Sequence, residues 1–407
     1  MNCTPSLVAS AMLLAGAAST SHAFASSSGL DTTFGNNGTL AISEIEPQGE
    51  VNVALDTKGN ILVAGESANP SGMSFLLRVT SSGALDTSFA SIGFEYLSLG
   101  TIDSIAVLAN DQILVAGVTL SGEALVQRYN TNGTLDTTFG SGGSTVATTV
   151  GAAVIVVQPN GSIVVGGAAG PALATERFLA DGAIDTSFGT AGTAESTVGG
   201  SVTCLGLEPD GTILALDGSE LGEPGVTPIV SFTADGTPEA ATVTGTVSPI
   251  AVSNTAAAAT LRPAGDAILG ARVTGVGKEG RFGEIQRYTL QGVRDTTFDT
   301  PFNWGAALPN VQNVPFTVGL EAGGQIVAAG IANLSSTEFV FGFGEFNSNG
   351  TPDTAFADGG LTNTEIVGSD EAFNLAVQSN GMVVVVGSES LANGGQDQLV
   401  LARYVAP

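Results

Sequence analysis

Gly-Leu-Asp-Thr-Thr-Phe-Gly, residues 29–35, decides the fold, because the chain repeats it. Variants open at Gly83, Gly133, Gly182, Gly236, Gly292 and Gly350, at spacings of 54, 50, 49, 54, 56 and 58 residues. A period near 50 residues marks a repeat array, in which each unit buries its apolar face against the next. The period also bears on function: a residue present in every unit serves the scaffold before it serves a site.

Each unit carries a second recurrent phrase, seen as LDTKGNILVAG (55–65), VQPNGSIVVGG (157–167), LEPDGTILALDG (207–218) and VQSNGMVVVVG (377–387). Short β-branched runs around a polar turn predict a hairpin. Lys58-Gly59, Asn160-Gly161, Asp210-Gly211 and Asn380-Gly381 fall where positive φ is needed. A third run follows, as in FLLRVTSSG (75–83), ALVQRYNTNG (124–133) and LVLARYVAP (399–407). With the Asp-Thr-Thr-Phe phrase and a final extended stretch, each unit has about four short strands, as a propeller blade requires.

The sequence holds seven hairpin phrases and seven third-strand phrases, and its last unit stops at Pro407 before its fourth strand. The first fourth strand, within 29–42, stands ahead of the first hairpin. The expected fold is therefore all-β: a single seven-bladed β-propeller over 29–407, its last blade closed by the N-terminal strand. Such closure leaves no sheet edge exposed. The LDTTFG and QPNGSIVVGG phrases resemble the delta-60 repeat family over about residues 29–407. That resemblance implies β-propeller architecture and no common activity. Gly-Thr-Pro-Glu-Ala-Ala (236–241) and the crossing 299–313 depart from the pattern.

Residues 1–25 carry no charged side chain, and Leu7 to Ala18 is apolar with small residues around Ala23 and Ala25. This reads as a signal peptide and predicts a secreted, cell-surface or periplasmic protein. Removal would take away His22, the only histidine, and Cys3. Cys204 would remain as a lone buried thiol, and Ser-His, Cys-His and His-zinc chemistry would be excluded. No later segment reaches membrane-spanning length. With 38 acidic and 11 basic residues the net charge is -27, which disfavours nucleic acid and anionic membranes as partners. The expected state is a monomer, the expected partner is an extracellular glycan or protein, and no nucleotide-binding motif is present.

Asp31, Asp86, Asp136, Asp185, Asp295 and Asp353 share one repeat position, with Glu239 in the fourth unit. Eight residues before it, or closing the ring in the last unit, stand Arg78, Arg128, Arg177, Arg287 and Arg403, with Ser231 and Glu345 as exceptions. The expectation is a bracket pinning turns. Phe34, Phe89, Phe139, Phe188, Phe298 and Phe356 end the phrase and read as wedges between blades.

Function is then left to the non-repeated loops. Glu44, Glu46 and Glu50 lie in one crossing and Glu365, Asp370 and Glu371 in another, and ring closure makes the two neighbours. Clustered carboxylates are candidate Ca²⁺ ligands, although the spacing matches no Ca²⁺ loop motif. Trp304 and Tyr96, in other crossings, are candidate ligand-binding aromatics for a glycan. The reading is a binding or surface-interaction module. The alternative is a carboxylate-dependent, Ca²⁺-assisted enzyme acting on polysaccharide, for which no catalytic pair is selected by spacing.

Overall fold

The computed structural model describes residues 29–121, 123–147, 154–202, 204–216, 229–239, 258–262, 266–274, 281–289, 295, 297–298, 301–302, 314–333, 339–357, 359–366, 369–390 and 397–405. Over these the chain is all-β and propeller-like, built of repeated four-stranded antiparallel sheets. Sheet one comprises Pro47–Leu55, Ile61–Ser67, Met73–Val79 and Phe94–Leu97. Sheet two comprises Thr101–Val107, Ile113–Val118, Ala124–Tyr129 and Ser144–Ala147. Sheet three comprises Val154–Val157, Ile163–Ala169, Ala172–Phe178 and Thr193–Gly199. Sheet four has three described strands, Cys204–Leu207, Ile213–Leu216 and Ile229–Phe232. Sheet five comprises Ala258–Arg262, Asp266–Thr274, Arg281–Thr289 and Pro301–Phe302. Sheet six comprises Val314–Leu320, Ile326–Asn333, Phe339–Phe346 and Leu361–Thr364.

Sheet seven is assembled from both ends of the chain. Ser369–Val377, Val383–Ser390 and Gln398–Tyr404 are followed at the outer edge by Thr39–Ile42. The register runs from Thr39 opposite Ala402 to Ile42 opposite Leu399, and Leu30 bridges to Tyr404. The N-terminal strand thus pairs with the strand Gln398–Tyr404. First strands of successive sheets touch, and the first strand of sheet seven touches that of sheet one.

The apolar runs bury between sheets. Val51, Val53, Ile61 and Val63 of sheet one pack with Val384, Val386, Leu399 and Leu401 of sheet seven. The hairpin glycines adopt the left-handed backbone expected of them, with φ of 78° at Gly59 and 85° at Gly161. Gly83, at φ 83°, has a second reason to be glycine: a Cβ there would collide with the backbone nitrogen of Gly35 and crowd Phe34. The turn of one sheet is therefore fitted against the phenylalanine of the sheet before it.

The Arg–Asp bracket is present in five sheets, and it reaches further than expected. In sheet three, Asp185 Oδ1 accepts from the amide and hydroxyl of Ser187 at 3.1 and 2.6 Å. Its Oδ2 accepts from Arg177 Nε at 2.8 Å, and Arg177 Nη1 donates to the Ala234 carbonyl of sheet four at 2.6 Å. The guanidinium carbon lies 4.6 Å from the centre of the Phe188 ring. Arg78, Arg128, Arg287 and Arg403 repeat this clamp on Asp86, Asp136, Asp295 and Asp31, each over its own phenylalanine. Their Nη1 atoms reach the carbonyls of Thr131, Ala180, Ser348 and Ser81 in the following sheet. One cation thus satisfies a carboxylate, a turn carbonyl and an aromatic face at once, and ties each of these sheets to the next. The phenylalanines are wedges, with Phe34, Phe89, Phe139 and Phe188 fully buried.

Candidate functional site

With the recurrent charges absorbed in clamps, the non-repeated acids remain. Of the first group, Glu44 is exposed and Glu46 half-buried, and the Glu46 carbonyl accepts from Ala68 N at 2.8 Å. The side chain of Glu50 lies outside the described residues. Of the second group, Glu365 is exposed, Glu371 half-buried and Asp370 fully buried. Asp370 Oδ2 accepts from the Ile366 amide at 2.8 Å, so it pins its own crossing. Burial first, then the Asp397 charge, raises the Glu371 carboxyl above its ordinary value. Among the described residues no three His, Cys, Asp or Glu side chains converge as a metal site.

The structure instead pairs Asp370 with a residue the sequence reading missed. Glu389, on the neighbouring strand of sheet seven, stands directly opposite Asp370 in the register. Both are buried, and burial together with the Asp370 charge pushes Glu389 up to about 7. Glu389 sits at the start of a second-to-third strand loop, where unit lengths vary, and no repeat spacing marks it.

Tyr96 is half-buried at the outer edge of sheet one, edge-on to Phe94 with ring centres 5.4 Å apart. Its hydroxyl donates to the Asn69 carbonyl at 3.2 Å, so the ring is held from both ends. Trp304 lies outside the described residues. Along the outer part of sheet three, reaching Val146 of sheet two and Pro238 of sheet four, is a cleft of about 970 Å³ whose lining includes Glu176, Phe178, Ile184 and Glu195. It mixes two carboxylates with apolar walls, and Glu176 is itself buried.

Cys204 corrects an expectation. It is buried, as a first-strand residue should be, but it is disulfide-bonded rather than a lone thiol. The only other cysteine in the chain is Cys3, outside the described residues. Removal of a leader at Ala23 or Ala25 and a bond between the two cysteines exclude each other. Intact-mass measurement of protein recovered outside the cell distinguishes them. Leader removal would give a mass lacking residues up to Ala23 or Ala25 and one alkylatable thiol after unfolding. A full-length mass with no alkylatable thiol would establish the bonded form.

Comparison with known proteins follows the architecture. Residues 59–89, 108–139 and 158–188 match a β-propeller repeat described as a domain of unknown function, DUF5122. No curated protein matches the chain. Similar solved structures include the WD40 β-propeller domain of Doa1, at 12% identity and TM-score 0.49 over 89% of this chain and 95% of that one. The GH74 xyloglucanase of Xanthomonas campestris is similar at 13% identity and TM-score 0.45, over 89% of this chain and 55% of its own. Polysaccharide lyase Uly1 is similar at 14% identity and TM-score 0.46, over 91% of each chain. Identities and scores at this level carry nothing about chemistry. The repeated four-stranded sheets and the three matched β-propeller repeats together make this an all-β, propeller-like protein.

Proposed function

We propose that this chain is an exported, seven-bladed, ring-closed β-propeller of the delta-60 repeat kind, acting as a binding or surface-interaction module. The observation that carries the reading is the fate of the recurrent charges. Five arginines, nearly half of the basic residues, are spent in sheet-to-sheet clamps beside the short turns. Chemistry that varies from unit to unit is left to the second-to-third strand loops and the crossings, which is where a rigid scaffold displays binding groups. Blade number and closure are supported by the contact of sheet seven with sheet one and by the shared strand Thr39–Ile42. Export is supported by the apolar leader, and the charge of -27 favours neutral glycans or basic proteins as ligands.

A panel of extracellular glycans and metal ions, screened against the exported protein, tests the reading. For the metal, melting is followed with Ca²⁺, Mg²⁺ or chelator at fixed ionic strength. Ligation by the Glu44, Glu46, Glu50, Glu365, Asp370 and Glu371 group predicts a Ca²⁺ shift larger than the Mg²⁺ shift, reduced by Glu46→Gln. Equal shifts, unchanged by that substitution, would leave a solvated acidic rim. Tyr96 and Trp304 are the aromatics to substitute if a glycan binds.

One observation favours the enzyme reading. A buried acid held near 7 beside a second carboxylate suits a general acid, and Glu389 with Asp370 has that form. Release of reducing ends from any glycan of the panel, abolished by Glu389→Gln, would move the assignment to a polysaccharide-acting enzyme.

A further inference from the structure

The clamp frame is complete in sheet six, but its cation is replaced by an acid. Asp353 N donates to the Glu345 carbonyl at 2.8 Å, and Phe356 N to the Asp353 carbonyl at 3.0 Å. The same two bonds tie Asp185 to Arg177 and Phe188 to Asp185 in sheet three, at 2.9 and 3.0 Å. Phe356 is buried like the other phenylalanines. Where they have arginine, sheet six has Glu345, whose carboxylate reaches only as far along the side chain as an arginine Nε. A second acid, Glu321, takes the hairpin position that Gln158 holds in sheet three, where Gln158 Oε1 accepts from Arg177 Nη1 at 3.4 Å.

Three carboxyl groups thus surround the place where five sheets keep a guanidinium. Glu345 is 1% exposed, and neither of its oxygens has a hydrogen-bond partner. Glu321 Oε1 and Gln325 Oε1 are likewise buried without one. Burial, then the charges of Glu321 and Asp353, pushes Glu345 up to about 8, and burial followed by Asp353 pushes Glu321 up to about 7. Buried acceptors of this kind are costly unless a donor or cation meets them. The acids do not converge tightly enough to share one metal ion. A planar cation with donors spread along its edge is the cation this frame holds elsewhere in the molecule.

We propose that Glu345, Asp353 and Glu321, with the Phe356 ring, form a receptor for a guanidinium group supplied from outside the chain, as an arginine side chain of a basic polypeptide partner. The net charge of -27 draws such a partner, and the slot gives it a specific anchor. The inference stands apart from export and from blade number, since it rests on one sheet.

The test uses ethylguanidinium as probe and melting temperature as readout, against NaCl at equal ionic strength and against Ca²⁺. At a probe concentration tenfold above its dissociation constant, the native protein should melt about 1–3 °C higher than in NaCl. Glu345→Gln should lower the affinity for the probe at least several-fold. Glu345→Arg should supply the clamp internally, melt higher than the native protein without probe, and lose the response to it. A native protein that responds to ethylguanidinium no more than to NaCl would overturn the proposal. So would a response to Ca²⁺ alone, a response retained in Glu345→Arg, or a Glu345→Arg protein less stable than the native one.

Discussion

A chain lacking residues 29–42 should fail to fold as a cooperative unit, rather than fray at one end. The deletion removes the outer strand Thr39–Ile42 of sheet seven together with Phe34 and Ile42, both buried. Those two side chains alone contribute about 1.5–3 kcal/mol each. It also removes Asp31, whose Oδ2 accepts from Arg403 Nε at 2.8 Å in the most buried of the five clamps. Stranding one partner of a buried ion pair costs about 3–5 kcal/mol. The sum approaches the whole net stability of an ordinary domain, about 5–15 kcal/mol. Urea unfolding followed by tryptophan fluorescence and far-UV circular dichroism checks this. The deleted chain should show no native baseline, and Asp31→Asn should lower the midpoint while leaving the transition single. A deleted chain melting with the intact one would show that sheet seven contributes nothing to holding the ends together.

Stability should fall as pH rises from about 5 to about 8.5. Glu345, Glu321 and Glu389 have folded values of about 8, 7 and 7 against an ordinary value of 4.5. Each binds its proton more tightly folded than unfolded. Its favourable contribution is complete below about pH 4.5 and is lost as pH climbs through the folded value. For Glu345 alone the loss is on the order of a few kcal/mol. The clamps work in the opposite direction. Hydroxyl donors from Thr138 and Ser187, with the paired arginines, hold Asp136 and Asp185 below their ordinary value. Their contribution is present above about pH 3.8 and is lost as pH drops through the folded values. Maximum stability should therefore lie near pH 4.5–5.5, and Glu345→Gln should flatten the alkaline limb. Urea midpoints from pH 3 to 9 measure both limbs. An alkaline limb unchanged by Glu345→Gln would place the titration elsewhere.

The parts of this molecule legible from sequence are those that recur. Period, hairpin glycines, phenylalanine wedges and the eight-residue offset between Arg177 and Asp185 all announce themselves by repetition. Repetition shows that two residues are related but not what a third one contributes. The reach of Arg177 to the Ala234 carbonyl crosses 57 residues and two sheets, and only assembled turns bring those atoms together. Glu389 escaped notice because it lies where the units stop resembling one another, and its partner Asp370 faces it only through strand register. Cys204 was misread because one inference, removal of the leader, was used to settle another, the state of the thiol. Glu345 was visible in the sequence as an exception to the arginine position, and its burial gave that exception chemical meaning.

The strand Thr39–Ile42 meets Leu399–Ala402 across some 360 residues of chain. During synthesis it is made some 360 residues before its partner. Until Gln398–Tyr404 emerges, the first strand waits with its ladder groups bare. Sheet seven can therefore be completed only after the other six sheets have been made, and the long loop to be closed makes that step slow.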